Sequence, residues 1–251
     1  MKKRNKEAAG EARPEGGEPL SYFQESRQLS LSILVILPLF VLYEVGTVQS
    51  GSTARNIAEV WMIRGLSRLG MPAATVINGL ALVALLYALG KLGHRGGICV
   101  SFIAAMILES VLYAVLIFKT VVIAAAAVQQ NIESMLALNN VPWKSLWLCV
   151  GAGVYEELAF RLLLVGGGAF VFRKVFLWGP FLSNMLALIA SSLLFSAAHH
   201  IGSAGEQFDS FVFIFRTLCG VGLGMIFIAR GLGIAVWTHA LYNVLVLWTR
   251  L

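Results

Sequence analysis

Charge is scarce in this chain of 251 residues: Asp, Glu, Lys and Arg make up 13% of it, against about 25% in an ordinary soluble domain. So few charges cannot cover a water-facing surface. Aspartate is almost missing, with Asp209 its sole example, which excludes chemistry that needs an aspartate pair. Cys99, Cys149 and Cys219 stand far apart beside apolar stretches and form no C-x-x-C pair. They cannot supply a paired-cysteine framework and read as inert buried thiols. H-E-x-x-H and G-x-S-x-G are both absent, which removes the usual helix-borne zinc site and the serine nucleophile elbow. What fills the space is apolar sequence, 58% of the chain. The net charge of +6 does not indicate nucleic acid, because the basic residues flank apolar runs instead of forming a stripe interleaved with aromatics.

Residues 1–27 hold six basic side chains and five glutamates without apolar periodicity, so this segment is expected to be a disordered, charged tail. The apolar run after it is too long for the core of a signal peptide and lacks an A-x-A-like site. A membrane helix needs about 20 predominantly apolar residues. By that measure candidate spans lie near 29–48, 73–91, 99–126, 145–165, 180–200, 210–229 and 231–249. The expected fold is therefore all-α: a polytopic transmembrane helix bundle of about seven spans, in one domain covering 28–251. Between the first two spans, 54–70 mixes Ile57, Val60, Trp61 and Met62 with Arg55, Glu59, Arg64 and Arg68, the pattern of an amphipathic helix at the interface. Cytoplasmic loops collect Lys and Arg. Lys91, Arg95, Arg173, Lys174 and Arg230 would then face inward, with Glu133, Lys144, Glu206 and Asp209 outside. The N-terminus is expected in the cytoplasm, against the opposing weight of Arg55, Arg64 and Arg68.

Ionisable residues within membrane spans are costly and mark function by default. They concentrate in three spans. In the fourth, Glu157 and Arg161 are four apart and share a helix face, so they can pair. Glu156 is rotated away by about 100° and has no basic neighbour one turn along. An unpaired carboxylate in apolar surroundings has reason to titrate, as a general base must. In the fifth span Phe195 and His199 are also four apart, so the ring can pack beneath the imidazole; the adjacent His200 reads as structural. In the seventh, His239 and Asn243 present two hydrogen-bonding groups on one face and could stabilise an oxyanion. Glu44, Glu109, Lys119 and Arg216 are weaker intruders that could line a cavity, snorkel or pair. Gly220 and Gly224 form a small-residue packing face.

The three motifs Glu156-Glu157-x-x-x-Arg161, Phe195-x-x-x-His199 and His239-x-x-x-Asn243, in this order and all within apolar segments, resemble the CAAX protease and bacteriocin-processing family. That family is also called the type II CAAX prenyl endopeptidase or Abi family. The likeness covers about 145–245, and Gly231-Leu232-Gly233 fits it as well. It implies a glutamic-type intramembrane endopeptidase in which Glu156 activates a water, His199 positions that water, and His239 and Asn243 stabilise the oxyanion. Glu157, Arg161 and Phe195 would support the site structurally. The reading favours no cofactor; its alternative places zinc on Glu156, His199 and His239, which are suitable donor types. Residues 29–60, with Leu37-Pro38-Leu39, Tyr43-Glu44 and Arg55-Asn56, look like bacterial branches of the family, some of which process C-terminal sorting signals. The expected partners are a membrane-anchored protein substrate and the lipid bilayer, and the expected location is the bacterial inner membrane. Two readings of other classes compete: a proton-coupled transporter, and a catalytically silent immunity or scaffold protein.

Overall fold

The computed structural model describes residues 21–50, 55–93, 100–127, 146–201 and 205–248. It is helical throughout, with no strand among the described residues. A short α1 (Tyr22–Glu25) precedes α2 (Leu29–Ser50), α3 (Ile57–Arg68), α4 (Ala73–Gly93) and α5 (Val100–Ala127). The motif-bearing half contains α6 (Leu146–Glu156), a π-helical continuation π1 (Glu157–Gly167), α7 (Gly168–Lys174), α8 (Pro180–Ala198), α9 (Ser210–Arg230) and α10 (Leu232–Trp248).

Local chemistry accounts for several boundaries. Asn56 caps α3 by accepting from the Ala58 N–H at 2.8 Å, and Asp209 caps α9 by accepting from the Val212 N–H at 2.9 Å; both occupy one of the donors a helix start leaves open. Pro180 opens α8, where its missing N–H costs nothing. Between α9 and α10 the chain reverses at Gly231, with φ +91°, and a side chain there would meet the Arg27 backbone at 2.9 Å. Conformation and crowding both demand glycine.

The deepest core joins Ile36, Leu39 and Tyr43 of α2, Ala58 of α3, Trp147, Val150, Val154 and Tyr155 of α6, and Leu232, Val236 and Ala240 of α10. Helices α6 and α10 are thus central, and they touch closely. A side chain at Gly153 would stand 2.8 Å from the Ala240 backbone nitrogen. By contrast, α4 buries only Ala88 and Leu92, while Leu80, Leu82, Val83 and Leu86 face outward. In water such a surface would aggregate; lipid is its natural solvent. Gly220 and Gly224 of α9 seat against Ser192, Phe195 and Leu188 of α8, the packing role their spacing suggests.

Five helices are long and apolar enough to cross a membrane: Leu29–Ser50, Ala73–Gly93, Val100–Ala124, Pro180–Ala198 and Ser210–Arg230. The two other expected spans are helical but differ in kind. The fourth is divided between α6 and π1 and carries Glu156, Glu157 and Arg161, and the seventh, α10, has 17 residues.

Three expectations change. Most of the charged tail, 1–20, lies outside the described residues, but Tyr22–Glu25 is helical, and the Tyr22 hydroxyl donates to Glu109 at 2.6 Å. Arg230 is no loop charge: it is buried and grips Glu109 through Nε and Nη2 at 2.5 and 2.8 Å. Helix α3 is not merely laid on the interface. Its Glu59 is buried, accepting from the Tyr43 hydroxyl and from Arg55 at 2.9 Å. Burial pushes the Glu59 carboxyl up, against the opposing pull of Tyr43 and Arg55. Cys99, Arg95, Glu133, Lys144 and Arg250 lie outside the described residues.

Candidate active site

Adjacent carboxylates sit where α6 turns into π1. Glu156 is the last α-helical residue and Glu157 the first π-helical one. A π-helical stretch widens the backbone and is found mostly at functional sites. Here it spans 11 residues and ends in Gly166 and Gly167, with Gly168 opening α7. One of its carbonyls, that of Phe160, accepts from the Ser191 hydroxyl at 2.6 Å, which ties the irregular tract to α8.

Glu156, Glu157, Arg161 and His239 are 4%, 0%, 1% and 4% exposed, so their charges are answered inside the protein. The Glu157–Arg161 pair forms as its spacing suggests, Nε to Oε2 at 3.2 Å. Arg161 also donates through Nη2 to the Gly220 carbonyl at 3.3 Å, and its guanidinium lies over the Phe195 ring, 4.6 Å from the centroid. Glu157 has a second partner that local spacing does not reveal: His239 Nδ1 donates to its Oε1 at 2.8 Å. The same imidazole presents Nε2 to Glu156 Oε2 at 3.7 Å. His239 therefore bridges the two carboxylates. An ionised Glu157, held by Arg161, fixes the proton on Nδ1 and leaves Nε2 to serve the other side.

Phe195 is where the three motifs meet. Its ring makes edge contacts with His199 at 5.1 Å, His239 at 6.1 Å and Phe160 at 5.2 Å between centroids. His199 caps α8 and donates from Nδ1 to the Phe195 carbonyl at 2.8 Å, so in the neutral ring Nε2 is the acceptor. It lies within electrostatic reach of Glu156. His200 turns elsewhere, bonding the Glu206 carbonyl at 3.3 Å and packing on Phe208 and Phe213. Asn243 is half-buried one turn beyond His239, and its amide donates to the Cys149 carbonyl at 3.5 Å. Among the described residues no hydrogen bond joins Asn243 to Glu156, His199 or His239.

One neighbour of Glu156 escapes the motifs altogether. Asn56 Nδ2 donates to Glu156 Oε1 at 2.7 Å across 100 residues of sequence. In the sequence it stands out as part of Arg55-Asn56 and as a capping residue before an apolar run, neither of which points to Glu156. Three of the weaker intruders prove to be paired, Glu109 with Arg230 among them. Glu44 accepts from the Tyr155 hydroxyl at 2.9 Å, and Arg216 pairs with Glu206 at 3.1 Å. Among the described residues no group of three or more His, Cys, Asp or Glu side chains is arranged to hold a metal ion. His199 and His239 both pack against the Phe195 ring, and His239 in turn faces Glu156.

Apolar helices that enclose a charged cluster of this kind define an integral membrane protein. Residues 138–245 match the family model described as type II CAAX prenyl endopeptidase, Rce1-like. Over this motif-bearing part the chain is similar to the CAAX protease family, a family of peptidases. No curated protein and no solved structure matches the chain.

Proposed function

We propose that the protein is a glutamate-dependent intramembrane endopeptidase that cuts a membrane-anchored protein substrate near the membrane boundary. The observation that carries this reading is the paired environment of the two carboxylates. Glu157 is neutralised by Arg161 and orients His239, whereas Glu156 is left with a neutral amide and an imidazole at 3.7 Å. Glu156 takes a proton from water as the oxygen attacks the scissile carbonyl, with His199 Nε2 accepting from the same water. The carbonyl oxygen becomes an oxyanion, which His239 stabilises in its doubly protonated form, with Nδ1–H kept on Glu157 and Nε2–H donated to the oxyanion. Asn243 joins it as a second donor, its long bond to the Cys149 carbonyl giving way to the substrate. Glu156 then returns its proton to the amide nitrogen as the C–N bond breaks, which leaves a carboxylic acid and an amine.

This scheme needs no cation, so activity of the purified protein should survive chelation. Activity lost on chelation and regained with one equivalent of zinc would move the chemistry to a metal held by Glu156, His199 and His239. The substrate is proposed to carry a C-terminal processing or sorting signal, and the protein to lie in a bacterial inner membrane with its N-terminus in the cytoplasm. Mass spectrometry of membranes containing wild type or Glu156→Gln protein tests the function. A substrate whose C-terminal fragment is released only by the wild type supports it, and identical peptide maps would overturn it.

A further inference from the structure

Asn56 lies in the link before α3, outside the matched region 138–245, yet it touches the residue to which the proposed reaction gives the leading part. Its amide has one oxygen and one NH2 group, and their uses are fixed by what surrounds them. The oxygen accepts the Ala58 N–H at 2.8 Å, and a backbone N–H can only donate. The NH2 group must therefore face Glu156, where Nδ2 stands 2.7 Å from Oε1. A flipped amide would lose both bonds.

The amide is held from behind by the start of α3. Ala58 packs into the core shared with α2, α6 and α10. One residue further on, Glu59 is clamped by the Tyr43 hydroxyl and by Arg55. This arrangement is costly for a surface helix, because it buries a carboxylate. It does fix the end of α3, and with it Asn56, against α2 and α6.

We infer that Asn56 is a positioning residue for Glu156. By holding Oε1, it fixes the carboxylate so that Oε2, the oxygen facing His239 Nε2, is the one that meets the water. Helix α3 is then a strap that carries part of the active site from the half of the chain without motifs. This inference rests on the proposed role of Glu156.

The test uses the full-length protein in lipid vesicles and exploits the direction of one hydrogen bond. Asn56→Ala removes cap and donor together; kcat should fall about tenfold while KM stays within about twofold, since the bond orients a reacting group and touches no substrate. Asn56→Asp keeps a capping oxygen but turns a carboxylate toward Glu156, so both melting temperature and kcat should fall. In the double variant Asn56→Asp with Glu156→Gln, the introduced amide can donate to the introduced carboxylate and re-form the bond in reverse. Its melting temperature should return toward that of wild type while activity stays absent. A role confined to capping α3 predicts no such recovery. The inference is overturned if kcat of Asn56→Ala equals wild type, or if the double variant melts no higher than Asn56→Asp. Activity in Glu156→Gln alone would instead remove the proposed function, so the two failures are distinguishable.

Discussion

Two carboxylates inside this bundle, the half-buried Glu109 and the buried Glu156, are treated in opposite ways. Glu109 receives four donors: Tyr22 at 2.6 Å, Tyr113 at 2.9 Å, and Arg230 at 2.5 and 2.8 Å. Arg230 is in turn covered by Tyr22 and Phe23, its guanidinium 5.1 and 4.4 Å from their ring centroids. Every lone pair is occupied and the charge is cancelled, so the group is locked. Glu156 receives one amide and has an imidazole beyond hydrogen-bonding range, while the cation that could have neutralised it is spent on Glu157. A saturated carboxylate binds helices together, whereas one left a donor short can still exchange a proton. Presence inside a membrane span marks both residues; completeness of pairing separates them.

The sharpest way to break this contrast is Glu156→Gln. General base catalysis contributes about 10²–10⁴-fold, so cleavage should drop by at least that lower bound while the yield of folded protein matches wild type. Equal turnover would end the distinction. Arg161→Ala should act in the other direction, on folding. It leaves Glu157 charged, buried and without its cation, a loss of about 3–5 kcal/mol for a broken buried pair, read as a lower melting temperature in detergent. Asn243→Ala should reduce kcat about 100-fold, the cost of one oxyanion donor, with little change in KM. A rise in KM alone would make Asn243 a substrate-binding group. Smallest is Glu109→Gln, which weakens hydrogen bonds without emptying the site. It should cost about 1–3 kcal/mol of stability and leave turnover per folded molecule unchanged, as a comparison of melting and specific activity would reveal.

What the sequence disclosed follows the reach of each signal. Pairs four residues apart, Glu157 with Arg161 and Phe195 with His199, could be read directly, because helix geometry alone brings them together. The long apolar runs located α2, α4, α5, α8 and α9 to within a few residues, since lipid imposes length and composition. Partners far apart in sequence were hidden. Asn56 meets Glu156, His239 meets Glu157, and Arg230 meets Glu109 across 100, 82 and 121 residues, and nothing in local periodicity records such meetings. Arg230 consequently looked like a topology charge and Glu59 like part of a solvated face. The π-helical winding of 157–167 was equally silent, because its hydrogen-bond pattern depends on neighbouring helices, as the Ser191 bond to Phe160 shows.

The bridge made by His239 also bears on the order in which the chain is built. Leu146–Gly167 brings two glutamates and one arginine into the bilayer, and insertion scales charge about 2.5–3.5 kcal/mol for such a residue at a helix centre. Arg161 offsets part of that penalty from within the segment, and Asn56 is already synthesised when the segment emerges. The imidazole belongs to α10, the last of the described helices to be made. Until it arrives, Glu157 lacks one of its two partners, and the central groove of α6 at Gly153 has no Ala240 to fill it. The fourth segment is therefore an unfinished guest in the membrane while the helices after it are synthesised. The pairing of Glu157 and the filling of the groove at Gly153 both wait on α10.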